Sequence, residues 1–201
     1  EFEIIVTGKG GHAAAPHMAV DTTLVAAQTV VTLQSIVARN VDPIQRVVVT
    51  VGTFNTDSDA SNIIAQTVRM KGTVRTLDPE WRDRAQDRVR RIAEDTASAF
   101  GAKAEVIWDP GYPATINWPE QTTFAAEAAR IVAGDVDEKV DPILPAEDFA
   151  YMLEARPGAY MFIGNGDTDM CHHPAYDFAD ETIPAGCSWF AELVERRMPA
   201  Q

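Results

Sequence analysis

A glycine-rich stretch with a histidine at its centre is the part of this sequence best suited to chemistry. Residues 8–17 read Gly-Lys-Gly-Gly-His-Ala-Ala-Ala-Pro-His, with three glycines before His12 and three alanines after it. Glycine lets the backbone take positive φ angles and approach another surface closely, and alanine leaves an imidazole unobstructed. The pattern indicates that His12 is presented for contact with another molecule. The alternative is a glycine-rich connection that carries an ordinary surface histidine.

A second set of candidate residues lies near the C-terminus. Residues 170–181 read Met-Cys-His-His-Pro-Ala-Tyr-Asp-Phe-Ala-Asp-Glu. Adjacent histidines before a proline are typical of a loop, where an imidazole can reach a metal ion. One histidine cannot make a metal site, so the spacing alone favours a polar loop in which Asp177 and Asp180 are turn residues.

A third set flanks a predicted strand. Arg75 offers a planar fork for a carboxylate, and Asn62 offers an amide donor. An asparagine in a turn and an arginine on a solvated strand face explain the two residues equally well. Glu147 and Asp148 stand at a predicted helix start, where the helix dipole alone accounts for acidic side chains.

Hydrophobic periodicity predicts the elements that position these residues. Alternation predicts a strand over 2–7. Helical spacing predicts a helix over 20–38, which Asp21 or Thr22 can cap and whose buried face contains Val20, Leu24, Ala27 and Val31. A valine-rich strand over 44–53 and another strand over 64–76 are expected next. A helix over 79–100, which begins near Pro79 and is ended by Gly101, and a last strand over 104–108 follow. The order β-α-β-β-α-β predicts a ferredoxin-like domain: a four-stranded antiparallel sheet with two helices on one face.

The pattern changes after residue 113. Helices are expected at 119–133, 146–155 and 184–197, with a compact buried strand at 160–163. These elements contain too few strands for a complete sheet. We therefore expect 111–201 to be the second half of a domain whose first half precedes Glu1, and the chain to be part of a longer polypeptide.

Composition narrows the class of protein. A hydrophobic content of 46% and a charged content of 23% describe an ordinary globular chain of 201 residues. A formal net charge of -13 argues against nucleic acids and anionic membranes as partners. Cys171 and Cys187 are too few for a disulfide scaffold, which predicts two buried thiols and a cytoplasmic location.

Five strings in the sequence resemble motifs of the aminoacylase and carboxypeptidase family of two-metal amidohydrolases, which includes hippurate hydrolase and the indole-acetyl-amino-acid hydrolases. Residues 8–17 are similar to the family's Gly-x-Gly-Gly-His-Ala-Ala-x-Pro-His, and residues 172–181 to its His-x-Pro-x-Tyr-Asp-Phe-x-Asp-Glu. Three shorter strings lie between them: 62–65 is similar to Asn-Val-Ile-Pro, 72–75 to Gly-Thr-Val-Arg, and 146–149 to Ser-Glu-Asp-Phe. Some positions depart from the family pattern in the chemistry of the side chain. Ala65 stands where proline is frequent, Ala146 where a small hydroxyl residue is common, and His173 where asparagine is common.

The resemblance implies a domain arrangement. It covers the whole chain but only about the C-terminal half of a family member. Residues 1–110 are similar to the family's ferredoxin-like lid, which also forms its homodimer, and 111–201 to the closing half of an α/β catalytic domain.

The resemblance also implies residue roles. His172 would be a ligand of one of two divalent metal ions, zinc or else manganese, cobalt or nickel. His12 would donate a hydrogen bond to the developing oxyanion across the dimer interface, and Asn62 and Arg75 would hold the substrate's carboxylate. The substrates implied are N-acyl amino acids or dipeptide-like amides.

The family's other ligands lie in a His-x-Asp segment and a Glu-Glu pair, and neither string occurs in the sequence. We therefore expect this chain to be inactive alone and not to assemble a two-metal site, so that no metal need be bound to it. Asp177 or Asp180 could orient the ligand loop, and the roles of His17, His173 and Glu147 stay unassigned.

A different class of function is a non-catalytic module, a ferredoxin-like domain that dimerises or binds an amino acid as a regulator. It explains residues 1–110 and the absent ligands, but neither His172 in its matching string nor the segment 111–201. A heterodimer whose other half is a separate chain is a third hypothesis.

Overall fold

A computed structural model describes residues 1–198. The chain divides into two compact units, Glu1–Ala114 and Thr115–Gln201. The mixed α/β architecture expected from the sequence is confirmed.

The first unit contains one sheet and two helices. In chain order its elements are β1 (Phe2–Thr7), β2 (Gly11–His12), α1 (Thr22–Ser35), β3 (Val47–Thr56), β4 (Ile63–Ile64), β5 (Thr67–Thr76), α2 (Pro79–Ala99) and β6 (Lys103–Trp108). The main sheet has the order β3-β5-β1-β6 with antiparallel neighbours, and β2 pairs with β4 separately. The predicted β-α-β-β-α-β arrangement is therefore confirmed.

The core lies between the sheet and the helices. β1 is paired on both sides, so Thr7 lies opposite Thr67 of β5 and opposite Lys103 of β6. Alternate residues of β1 point toward the helices, and Ile4 is completely buried. Val68 and Met70 of β5 are also completely buried, as the alternation along that strand predicts.

The helix predicted over 20–38 forms as α1 over Thr22–Ser35, and its buried face differs from the predicted one. Asp21 caps the helix, since its Oδ1 accepts hydrogen bonds from the backbone N–H groups of Thr23 and Leu24 at 3.0 and 3.1 Å. Leu24 and Val31 are 55% and 66% exposed. The residues buried instead are Thr22, Val25, Ala26, Thr29 and Leu33.

Two threonines make this alternative face possible. Buried Thr22 donates its hydroxyl to the carbonyl of Ala65 at 2.7 Å, and buried Thr29 donates to that of Val25 at 2.9 Å. Because both hydroxyls are satisfied, burying them costs little. Helical spacing alone therefore could not tell which of two mixed faces would be buried.

The regular elements described in the second unit are all helices. Its helices are α3 (Pro119–Ala133), α4 (Phe149–Ala155) and α5 (Ile183–Arg197). The bounds of α3 match the prediction. Within residues 115–198 no strand forms.

The strand expected at 160–163 is therefore a wrong prediction. Phe162 and Ile163 are 64% and 52% exposed, and no neighbouring strand among residues 115–198 is available to pair with them. The backbone of Tyr160 instead pairs with a side chain. Its N–H donates to Asn117 Oδ1 at 2.7 Å, and its carbonyl accepts from Asn117 Nδ2 at 2.9 Å.

The expectation of buried thiols is also wrong. Cys171 and Cys187 are both exposed and unpaired. Cys171 lies in a turn, and Cys187 lies on α5, whose described residues include none that is fully buried. Across residues 1–198, every helix is too short or too polar to cross a membrane.

Replacing Ile4 tests the importance of the doubly paired strand. We expect Ile4→Ala to lower the free energy of unfolding by about 2–5 kcal/mol, because it leaves a cavity in the core. Ile44→Ala is the matched control. Ile44 is 84% exposed, and its replacement should change stability by less than about 0.5 kcal/mol. Urea denaturation of both variants measures the difference, and equal effects would contradict the assigned core.

Candidate functional site

The β2–β4 ladder brings two of the candidate residues together. Gly11 lies opposite Ile64, and His12 lies opposite Ile63. One residue further on, the N–H of Ala13 donates to the carbonyl of Asn62 at 3.0 Å. His12 and Asn62 are thus held side by side by backbone hydrogen bonds, although fifty residues separate them in the sequence.

The glycines before His12 serve close approach rather than unusual backbone angles. Among the described residues, the glycines with positive φ lie elsewhere in the chain. A Cβ atom on Gly8 would lie 2.8 Å from the carbonyl oxygen of Val20, and one on Gly10 would lie 3.0 Å from that of Ile64. Any larger residue would therefore push the segment away from its neighbours.

The imidazole of His12 is exposed and has a defined tautomer. Its Nδ1 accepts a hydrogen bond from the backbone N–H of Ala14 at 3.0 Å. Because Nδ1 is the acceptor, the ring hydrogen resides on Nε2. Nε2 can therefore donate a hydrogen bond to an incoming group, as the sequence analysis expects of this residue.

Arg75 lies at the opposite end of the same sheet. β1 and β5 are antiparallel, so the end of β1 that leads to His12 lies beside Thr67, eight residues before Arg75. At about 3.3 Å per strand residue, Arg75 is about 26 Å further along β5. Its guanidinium donates to the carbonyl of Val74 at 3.1 Å and lies 4.0 Å from Glu1 Oε1. The first unit therefore brings His12 and Asn62 together but not Arg75.

His172 belongs to the second unit and has an unusual backbone. Its φ is 73°, and within residues 1–198 it is the one non-glycine residue with positive φ. This left-handed conformation is uncommon for side-chain-bearing residues and often marks a functional position. The neighbouring His173 is engaged elsewhere, since its Nδ1 accepts from the N–H of Ala175 at 3.1 Å and lies 3.3 Å from Asp169 Oδ2.

Residues that the sequence analysis missed hold the loop after His172. Asn165 donates from Nδ2 to the carbonyl of Asp177 at 2.7 Å, and its Oδ1 accepts from the N–H of Ala179 at 2.8 Å. The hydroxyl of Thr168 accepts from the N–H of Asp177 at 2.9 Å. Asn165 bridges two points of the loop, a contact that no local sequence pattern reveals.

The described residues do not fit a complete metal site. Residues 1–198 contain no group of three or more His, Cys, Asp or Glu side chains placed to hold one ion. A catalytic zinc ion generally takes three protein ligands. His172 could supply one ligand, and the other ligands of such a site would lie outside the described residues.

Glu147 has a structural role in this unit. Its Oε1 accepts from the N–H of Phe149 at 3.2 Å at the start of α4, and its Oε2 accepts from the hydroxyl of Tyr160 at 3.0 Å. The hydrogen bond from Phe149, followed by that from Tyr160, lowers the pKa of Glu147. Burial, followed by the bond to Glu147, raises the pKa of Tyr160. The pair joins the start of α4 to the segment that follows it.

Residues 3–196 match the sequence model of peptidase family M20/M25/M40. The chain is 41% identical over 198 residues to an N-acetyl-L-cysteine deacetylase of Bacillus subtilis, covering 98% of this chain and 47% of that protein. It is 34% identical over 194 residues to a hippurate hydrolase of Campylobacter jejuni, covering 96% and 50%. The chain thus spans about half the length of the curated relatives that it matches.

A solved structure shows the same relation. The chain superimposes on a Bacillus subtilis protein described as a dinuclear metal-binding peptidase from the M20 family, with a TM-score of 0.75 and 29% sequence identity. The match covers 100% of this chain and 50% of that chain.

The Glu147–Tyr160 pair predicts a pH-dependent contribution to stability. A folded-state pKa below the ordinary value of 4.5 means that Glu147 stabilises the fold above that pH and loses this contribution as pH falls through the lowered pKa. We expect Glu147→Gln to lower the melting temperature at pH 7, with the difference from the unmodified chain shrinking below pH 4.5.

The control is Glu154→Gln, on the exposed side of α4. It should leave the melting temperature nearly unchanged across the same pH range. A deficit of Glu147→Gln that stays constant from pH 7 to acid would contradict the assignment.

Proposed function

Because this chain belongs to peptidase family M20/M25/M40, we propose that it forms part of a metal-dependent amidohydrolase that cleaves the amide bond of N-acyl amino acids or related dipeptide-like substrates. The names of two relatives, N-acetyl-L-cysteine deacetylase and hippurate hydrolase, support this substrate class. The observation that carries the proposal is the β2–β4 ladder, which holds His12 beside Asn62.

In the proposed reaction His12 stabilises developing charge. The Nε2–H group donates a hydrogen bond to the carbonyl oxygen of the scissile amide as that oxygen becomes negative. A donor that is already oriented gains strength in the transition state at no cost of reorganisation. The bond from Ala14 to Nδ1 fixes the tautomer that this role requires.

Asn62 and Arg75 are proposed to bind the substrate's carboxylate. The amide of Asn62 supplies a hydrogen bond, and the guanidinium of Arg75 supplies a charged fork. Both contacts need atoms within about 3 Å of the same carboxylate. Since the strand between them spans about 26 Å, one copy of the chain cannot provide both.

A homodimer removes this conflict. We propose that His12 and Asn62 of one protomer complete a site that contains Arg75 of its partner. The edge of the first unit formed by α1 and β3 supports such an assembly, because Leu24 and Val31 on α1 are exposed and β3 is an edge strand. An edge strand presents unpaired backbone groups that can pair with another copy. In this arrangement residues 1–110 act as the lid and dimerisation domain, and 111–201 belong to the catalytic domain.

The metal ions belong to the complete enzyme. We propose two divalent ions, zinc or else manganese, cobalt or nickel, since a structural relative is described as binding a dinuclear centre. When bound, such ions supply an activated water. His172 would contribute one ligand, so this chain alone is expected to be inactive. A cytoplasmic location stays a prediction.

One observation favours a second candidate, a non-catalytic module that dimerises or binds an amino acid. The described residues hold no complete metal site. Metal analysis of the protein isolated from its natural source separates the two candidates. About two ions per chain would support the hydrolase. A protein that contains no metal ion and does not hydrolyse N-acyl amino acids would support the module.

Replacing His12 tests its proposed role directly. In the active enzyme that contains this chain, we expect His12→Ala to lower kcat for an N-acyl amino acid by about 100- to 1,000-fold, as the loss of one oxyanion donor does. Steady-state kinetics measures the change. Unchanged turnover would show that His12 has no part in the reaction.

Mixing inactive variants tests the shared site. His12→Ala and Arg75→Ala should each be inactive alone. When equal amounts are refolded together, about half of the dimers are heterodimers, and each heterodimer has one intact site of two. About a quarter of the activity should therefore return. His12→Ala mixed with Asn62→Ala is the control. Because each site takes both His12 and Asn62 from the same protomer, every site in this mixture lacks one of them. No activity should return. Equal recovery in both mixtures, or none in either, would contradict the arrangement.

A further inference from the structure

Gln66 makes an unusual set of contacts with the turn that precedes His12. Its side-chain Nε2 donates to the carbonyl of Gly8 at 2.6 Å, and its Oε1 accepts from the N–H of Gly10 at 2.8 Å. Its backbone carbonyl accepts from the N–H of Gly8 at 3.1 Å. Three hydrogen bonds from one residue therefore fix the short segment between β1 and β2.

Gln66 is itself held in place from the opposite side. Its backbone N–H donates to Asp57 Oδ1 at 3.1 Å, and the N–H of Asp57 donates to the carbonyl of Thr67 at 3.1 Å. The adjacent Ala65 is buried, and its carbonyl accepts the hydroxyl of Thr22 on α1. The side chain of Gln66 thus extends from a backbone that is fixed by a loop and a helix.

The chemistry of this contact requires an amide. One side-chain atom must donate to the carbonyl of Gly8 while the other accepts from the N–H of Gly10. A carboxylate has acceptors only and would place an oxygen against the carbonyl of Gly8. An asparagine side chain is one methylene shorter and cannot span both groups from the same backbone position.

The segment that Gln66 holds leads directly into the candidate site. Gly11 and His12 follow Gly10 and pair with Ile64 and Ile63, after which Ala13 bonds to Asn62. β2 begins, and β4 ends, beside the residues that Gln66 joins. A ladder this short has few bonds of its own, so its position depends on the residues that anchor its ends.

We propose that Gln66 is a positioning residue: its side-chain amide fixes the Gly8–Gly10 backbone and thereby sets the placement of His12 beside Asn62. The inference rests on the proposed function of His12 and Asn62. It assigns a role to a residue outside the five motif strings from which the candidate site was predicted.

The test uses two replacements of Gln66 in the active enzyme that contains this chain. We expect Gln66→Glu and Gln66→Asn to lower kcat for an N-acyl amino acid by about 10- to 100-fold, since small misplacement of a catalytic group has effects of this size. Gln45→Glu introduces the same charge at an exposed position outside the candidate site and should leave kcat unchanged.

Amide hydrogen exchange supplies a readout that a general loss of stability would not reproduce. In Gln66→Glu we expect faster exchange at Gly10 and Ala13, whose N–H groups bond to Gln66 and Asn62. Amides of the doubly paired strand β1 should exchange at the rate seen in Gln45→Glu. Local loosening without global loosening supports a positioning role.

Three results would overturn the proposal, and each is distinguishable. If Ala13 stays protected in Gln66→Glu while His12→Ala is inactive, Gln66 does not position His12 although the proposed function stands. If β1 exchanges faster as well and the melting temperature falls, Gln66 only stabilises the fold. If His12→Ala keeps full turnover, the proposed function of His12 is wrong. The proposed role of Gln66 in positioning His12 for catalysis is then wrong as well.

Discussion

The close approach of two backbone segments, 8–12 and 62–66, is the constraint on which the candidate site depends. Glycine permits the close packing at both ends of the turn, since a Cβ atom on Gly8 would lie 2.8 Å from the carbonyl oxygen of Val20 and one on Gly10 would lie 3.0 Å from that of Ile64. The approach allows the ladder between His12 and Ile63 to form. Two residues that are distant in the sequence thus become neighbours through backbone contacts, while their side chains remain available to a ligand.

The regular geometry of the sheet imposes the second constraint. Because β1 and β5 are antiparallel and in register over six residue pairs, the loop that follows β1 and the end of β5 must lie at opposite ends of the sheet. Rotamer changes cannot bridge the distance of about 26 Å that results. Residues proposed to bind one carboxylate can then meet only if two copies of the chain contribute, which connects the catalytic proposal to dimerisation.

The two units differ in how their functional residues are supported. In the first unit, the candidate residues lie on or beside strands of a sheet with a continuous core. In the second, His172 lies in a loop held by side chains such as Asn165 and Thr168, and α5 has no fully buried residue among those described. His172 itself has a left-handed backbone, with a φ of 73°.

The sequence alone determined the features that depend on local chemistry. Alternation and helical periodicity predicted the β-α-β-β-α-β order, Asp21 was a suitable cap for α1, and the bounds of α3 followed from its own residues. The resemblance of its motifs to a known family also made His12 and Asn62 candidate site residues. These features are encoded within short windows, because capping, pleat and helical pitch act over a few residues.

Only the tertiary structure decided the features that depend on distant partners. The buried face of α1 depended on acceptors for Thr22 and Thr29, and residues 160–163 formed no strand because none of the neighbouring described segments could pair with them. The contact of Gln66 with Gly8 joins residues 58 apart, and the separation of Arg75 from His12 follows from strand register. A partner's position is a property of the folded chain, so no local pattern could have supplied it.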